Sequence, residues 1–208
     1  MNSYCNELVD WCKVNNLVLN VDKTKEIIVD FRRSRPSHTP LLINDTAVEV
    51  VSSTKYLGVH VTDNLDWSLH TSSLAKRAQQ RLHFLRRMRR ASLPPPILTT
   101  FYRGAIESLL TSCISVWSGS CKAQDWKSLQ RAVRTAEKII GTPLPPIQDI
   151  ADSRCVSRAH RILSDPTHPH HGLFSHLPSG RRFRSIRCRT ARLRNSYFPL
   201  AIRLLNAI

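Results

Sequence analysis

The stretch Trp67-Ser68-Leu69-His70-Thr71-Ser72-Ser73-Leu74-Ala75-Lys76-Arg77-Ala78-Gln79-Gln80-Arg81-Leu82-His83-Phe84-Leu85-Arg86-Arg87-Met88 is where the hydrophobic period changes from 2 to 3.6. Leu74, Ala78, Leu82, Leu85 and Met88 fall on one stripe, with the arginines displaced to its sides, and such a stripe specifies a helix buried on one face. Pro94-Pro95-Pro96 ends that helix and opens another, because proline fits the first turn of a helix and breaks its interior. The second stripe reads Ile97, Phe101, Ala105 and Leu109. A third reads Trp126, Leu129, Val133, Ala136 and Ile140; Gly141 stands where a C-terminal glycine belongs, and Pro143, Pro145 and Pro146 forbid continuation. Three helices of this length share a core.

Upstream of Trp67 the pattern is mixed. Leu8, Trp11 and Cys12 have helical spacing, and Asn15-Asn16 ends that helix. Leu17-Val18-Leu19 suits a short strand. Ile27, Val29 and Phe31 alternate with their neighbours and predict a strand with one strongly buried face. Residues 32–40, rich in Arg, Ser and Pro, form a connection. Leu41-Leu42-Ile43, Asn44-Asp45-Thr46 and 47–51 predict a hairpin with a tight turn, and Leu57, Val59 and Val61 predict a further strand. Downstream, 147–163 predicts a short helix, 165–180 a loop and 200–205 a terminal helical turn, with weak order overall. The fold class is therefore α+β, with boundaries at 1–66, 67–142 and 143–208.

Charge is unevenly placed. The 208 residues hold 31 Lys and Arg against 15 Asp and Glu, a net charge of +16. Residues 1–66 are near balance. Between Asp66 and Glu107 there is no acidic residue, and after Asp165 there is none again. So large a positive field points to phosphate backbones or anionic membranes, and nucleic acid is the expected partner. No run of 18 apolar residues exists to span a bilayer, and the N-terminus has neither the basic nor the apolar region of a secretory signal. Six cysteines without a tight framework suit reduced thiols. The expected location is intracellular, nuclear or cytoplasmic.

Several segments resemble, in order, the C-terminal part of the reverse transcriptase of non-LTR (LINE-type) retrotransposons. Trp11-Cys12, Asn15-Asn16-Leu17, Leu19-Asn20 and Lys23-Thr24-Lys25 resemble the motif after the catalytic loop of the palm. Lys55-Tyr56-Leu57-Gly58-Val59 resembles the primer grip. Leu98-Thr99-Thr100-Phe101-Tyr102-Arg103-Gly104-Ala105-Ile106-Glu107-Ser108 and Cys113-Ile114-Ser115-Val116-Trp117 resemble the thumb, and Leu177-Pro178-Ser179-Gly180-Arg181-Arg182 the tail of these elements. The resemblance implies a small β-hairpin palm remnant (1–66), a three-helix thumb-like bundle (67–142) and a poorly ordered basic C-terminal region (143–208). It places Lys23 near an incoming nucleotide and Tyr56, Leu57 and Gly58 at the primer grip. The family's metal-binding carboxylates come from an upstream strand and an aromatic-x-Asp-Asp turn, and no adjacent Asp-Asp occurs in this sequence. Without such a pair to hold two metal ions, polymerisation by this chain alone is not expected, and no catalytic residue is assigned.

The thumb segment is also similar to the N-terminal domain of AlkB homologue eight, a tRNA-modifying oxygenase and methyltransferase. An oxygenase of that kind holds iron with a His-x-Asp/Glu pair and a distant His. None of the nine histidines here is followed two positions later by an acid, and no glycine-rich loop suits a methyl donor. The similarity implies association with tRNA without the oxygenase chemistry.

The residues expected to bind nucleic acid are basic. Lys76, Arg77, Arg81, Arg86, Arg87 and Arg90 lie off the apolar stripe and suit neutralisation of successive phosphates, and Arg181, Arg182, Arg184 and Arg187 form a flexible arm that orders on contact. Cys155, His160, His168 and His171 lack the paired-cysteine spacing of a zinc site, so no metal and no cofactor is expected. Three readings follow. The first is a truncated reverse-transcriptase-like protein that binds RNA, DNA or their hybrid. The second is a tRNA-associated module, and the third a retroelement relic without function.

Overall fold

The computed structural model describes residues 2–34 and 38–207. Six of the nine residues in the 32–40 connection fall among the described residues; 35–37 lie outside them. The chain divides after Asp66 into two compact units, and the fold is α+β, as the change of period predicts.

The first unit opens with α1 (Asn2–Val14). Asn16 takes a left-handed φ of 55°. The Leu17 and Asn16 amides donate to the Cys12 and Lys13 carbonyls at 2.8 and 3.1 Å, a Schellman closure that satisfies the last free carbonyls of the helix. The sheet elements are short: β1 (Lys25–Glu26), β2 (Leu42–Ile43), β3 (Thr46–Ala47), β4 (Glu49–Val50), β5 (Ser53–Tyr56) and β6 (Val59–Thr62). They pair only in twos, β1 with β4 in parallel and β2–β3 and β5–β6 as antiparallel hairpins. The β2–β3 turn is Asn44-Asp45, both at positive φ, the geometry that matches the twist of a two-residue hairpin. Val9, Ile43 and Val48 form the small core here, flanked by Leu19, Val21 and Leu41.

Two expected strands do not form. Leu17 and Val18 follow the helix closure and are exposed, and 27–31 is irregular, with Val29 and Phe31 exposed. No described strand pairs with either segment, so the alternating pattern is not fixed in a ladder. Asp30 instead anchors the connection: the Arg32 guanidinium bonds both its oxygens, at 2.7 Å for the closer ion-pair contact, and His38 Nε2 lies 3.3 Å away. That side-chain bond from Arg32 holds the Asp30 carboxyl well below the usual carboxylate range.

The second unit is helical. Its elements are α2 (Ser68–Arg90), α3 (Pro95–Phe101), a π-turn (Tyr102–Glu107), α4 (Ser108–Leu110), α5 (Ile114–Trp117), α6 (Ala123–Ile140), α7 (Ile147–Leu163), α8 (Ala191–Arg194) and α9 (Tyr197–Leu205). Helices α2 and α6 lie side by side. Leu74, Ala78, Leu82 and Leu85 are buried on one, and Leu129, Val133, Ala136 and Ile140 on the other. Gly141 closes α6 in the left-handed conformation at φ 85°, its amide donating to the Glu137 carbonyl at 2.7 Å.

The second stripe is displaced by one residue. Leu98, Tyr102, Ile106 and Leu110 are buried, whereas Ile97 is exposed and Phe101 and Ala105 are only half-buried; of the expected stripe Leu109 is buried. A strict four-residue spacing drifts by about 40° per step around an ordinary α-helix. The wider π-turn absorbs that drift and keeps these four side chains on one face. Both sets are apolar at the same spacing, so the pattern alone does not separate them.

The region after Pro146 is more ordered than the sequence suggests. Cys155, Ala159 and Ile162 of α7 pack with Phe174 and with Ala201 and Ile202 of α9. A Cβ on Gly119 would lie 1.9 Å from the Asn195 carbonyl oxygen, so the chain before α9 reaches its place only because residue 119 carries no side chain. Proline and histidine between 165 and 180 mask this core in the sequence.

Candidate nucleic-acid interface

Helix α2 carries its charge opposite its buried stripe. Lys76, His83, Arg87 and Arg90, at intervals of seven, four and three residues, fall on one line along the outer face, about 21 Å long at 1.5 Å per residue. All four are exposed. Arg77 flanks this line on the side of the π-turn and Arg86 on the other side, and both are exposed as well. Lys76, Arg77, Arg86, Arg87 and Arg90 form no ion pair among the described residues. Five cations without ion-pair partners make a surface that a row of phosphates complements. His83, placed mid-line by the helical repeat, was not singled out from the sequence.

Arg81 is different. It is half-buried and its guanidinium donates to the Ala105 carbonyl in the π-turn. The wide turn leaves that carbonyl without its ordinary helical partner, and Arg81 supplies one. Its guanidinium is thus turned to the π-turn, away from the exposed row. The helix repeat places Arg81 at the margin of the stripe, which was the available signal.

The second basic group is held in place. Arg181, Arg182, Arg184 and Arg187 are exposed, yet Phe183 and Ile186 between them pack against the α7–α9 core. The Phe183 amide donates to Asn206 Oδ1 at 2.8 Å, and Asn206 Nδ2 donates back to the Phe183 carbonyl at 3.0 Å. His176 and Phe183 form an isolated antiparallel bridge with rings 4.3 Å apart. The flexible arm expected here is instead an anchored loop, because apolar residues alternate with its arginines.

In the first unit, Tyr56, Leu57 and Gly58 form the tip of the β5–β6 hairpin. Leu57 and Gly58 occupy the two turn positions at φ 46° and 86°. Tyr56 is 67% and Leu57 79% exposed. Leu57 therefore belongs to the turn and not to the following strand. Lys23 is exposed at the end of a turn whose amide is held by Asn20 Oδ1 at 3.0 Å.

Residues 67–108, which contain α2, α3 and the π-turn, match the family described as alkylated DNA repair protein alkB homolog 8, N-terminal. That is where the similarity lies. No curated protein and no solved structure matches the chain.

Among the described residues no three His, Cys, Asp or Glu side chains gather in a group able to hold a metal ion. Cys155 is buried in the α7–α9 core, and burial pushes its thiol up to about 11. No described helix is long and apolar enough to cross a membrane.

Proposed function

We propose that the chain is a nucleic-acid-binding module without polymerase activity of its own, gripping phosphates through the outer face of α2 and the loop 181–187. One observation carries this reading: the uncompensated cations of α2 stand in line within a stretch, 67–106, that holds no acid. Phosphates that replace the counterions along that line release them to solvent, a favourable and salt-sensitive process. The ordered series of motifs supports descent from the palm end and thumb of a non-LTR reverse transcriptase. The exposed apolar side chains of the first unit, Leu8, Trp11, Val29 and Phe31 among them, suit a surface once covered by further strands.

The match over 67–108 favours a second reading of the same surface, an RNA-associated module related to the N-terminal part of AlkB homologue eight. Folded tRNA is then the preferred partner. The two readings differ in competition: folded tRNA displaces a labelled RNA–DNA hybrid selectively in the second and no better than generic duplex in the first.

The test of binding itself is fluorescence anisotropy with a labelled hybrid between about 50 and 200 mM salt, where a protein of this kind loses orders of magnitude in affinity. Replacing Arg86, Arg87 and Arg90 together with Gln should lower the slope of log K against log salt by about 3, close to one for each lost phosphate contact. Affinity independent of salt removes this reading.

A further inference from the structure

Beside the outer line of α2 lies a concavity of about 590 Å³, lined by Arg81, Phe84, Arg87, Phe101 and Gly104 together with Met88 and Ala105. This is within the size range of small-ligand sites. Its architecture follows from the π-turn, whose widened backbone is held by the bond from Arg81 to the Ala105 carbonyl. Phe84 is 55% exposed and contributes nothing to the stripe that fixes α2. Phe101 is half-buried across from it. Arg87 stands at the edge, exposed and without a partner among the described residues.

Gly104 keeps this space open. Its φ is not in the left-handed region, and a Cβ built there would meet nothing within 4 Å. The backbone therefore does not require glycine, and glycine inside a helix is destabilising by about 1 kcal/mol relative to alanine. A residue tolerated at that cost, next to two exposed or half-exposed phenyl rings and an unpaired guanidinium, leaves room for a flat aromatic occupant with an attached anion.

We propose that this concavity receives one unstacked nucleobase of a single-stranded segment, with a flanking phosphate on Arg87. The proposal rests on the nucleic-acid reading above and adds to it a strand preference. Phenyl faces stack on any base, so the site is tolerant of sequence. A base within an intact duplex must first be unpaired and unstacked to reach such a pocket, so single strands and frayed ends are favoured there. The outer line of α2, by contrast, serves duplex and single strand alike.

The experiment uses the full chain, single-stranded RNA and DNA of mixed sequence carrying one 2-aminopurine, and a blunt duplex of equal length. Gly104→Leu fills the concavity while improving local helix propensity, and Phe84→Ala removes one stacking face; thermal melts followed by circular dichroism confirm that both fold. The expected result is a change in 2-aminopurine emission with the wild type. Both variants should then bind RNA and DNA single strands about tenfold more weakly, with duplex affinity unchanged. If Gly104→Leu binds single strands as the wild type does, or loses duplex affinity equally, the base site is overturned while the phosphate reading stands. A loss confined to RNA assigns the concavity to the ribose hydroxyl and also overturns it. Failure of the wild type to bind any of the three at low salt overturns both.

Discussion

Thr71 and Asp125, 54 residues apart, are joined by a hydrogen bond of 2.9 Å from the threonine hydroxyl to Asp125 Oδ1, with both side chains buried. The same carboxylate accepts the Lys122 amide at 3.2 Å through Oδ2. One acid thus caps α6 and ties its first turn to the first turn of α2, at the start of the packing between the two helices. Asp125→Ala leaves the Lys122 amide uncapped and turns the Thr71 hydroxyl to the Trp67 carbonyl, 3.1 Å away, and should lower stability by about 1–2 kcal/mol in chemical denaturation. Asp125→Asn retains an acceptor and should cost less than half of that. Equal losses would show that charge, and not the bonding pattern, is what matters at this position.

Arg81 and Arg86 are close in sequence and opposite in role. Arg81→Ala removes the partner of the Ala105 carbonyl and should cost about 1–3 kcal/mol in a denaturation midpoint. Arg86→Ala touches no intramolecular partner and should stay within about 0.5 kcal/mol. A stability loss for Arg86→Ala as large as that for Arg81→Ala would contradict this division.

Leu57 sits at a turn position that favours Asn, Asp or Gly, since a branched side chain at positive φ costs about 1–2 kcal/mol. Leu57→Asn should therefore slow hydrogen exchange of the β5 and β6 amides. If the hairpin tip also touches nucleic acid, affinity falls as stability rises. Unchanged exchange would mean that the leucine conformation carries no strain.

Burial pushes the Cys155 thiol up to about 11 and the Tyr197 hydroxyl up to about 12. Both folded values lie above those of the free side chains, so the neutral forms are favoured by the fold. Their contribution is fully present below about pH 9 and is lost as pH rises through 11 and 12. Denaturation midpoints should fall across that alkaline window. Iodoacetamide at pH 8 should label the exposed Cys113 and leave Cys155 unmodified until the α7–α9 core opens. Rapid labelling of Cys155 in the native protein would contradict its burial.

Helical periodicity is a strong signal when one face alone is apolar, which is why α2, α6 and the Gly141 stop were legible in the sequence. It fails when two adjacent faces are both apolar. Ile97-Leu98 and Phe101-Tyr102 present such a pair, and only the π-turn decides between them. The expected strand at 27–31 failed for another reason: alternation describes a side-chain pattern, while a strand also needs a neighbour. In the candidate interface the positions of Arg86, Arg87 and Arg90 followed from the stripe. The anchoring of 181–187 did not, because it depends on Asn206, a residue with no local relation to Phe183. Phe84 and Gly104 were equally hidden, since neither forms a motif until the turn brings them together.

The row Lys76, Arg87 and Arg90 has an energetic cost when nothing covers it. Like charges spaced along one helix face repel one another, and no acid in that stretch relieves them. A polyanion settling there removes the repulsion as it is gripped, so occupancy and resistance to heat rise together. Bare, the helix is under tension; coated, it is at rest.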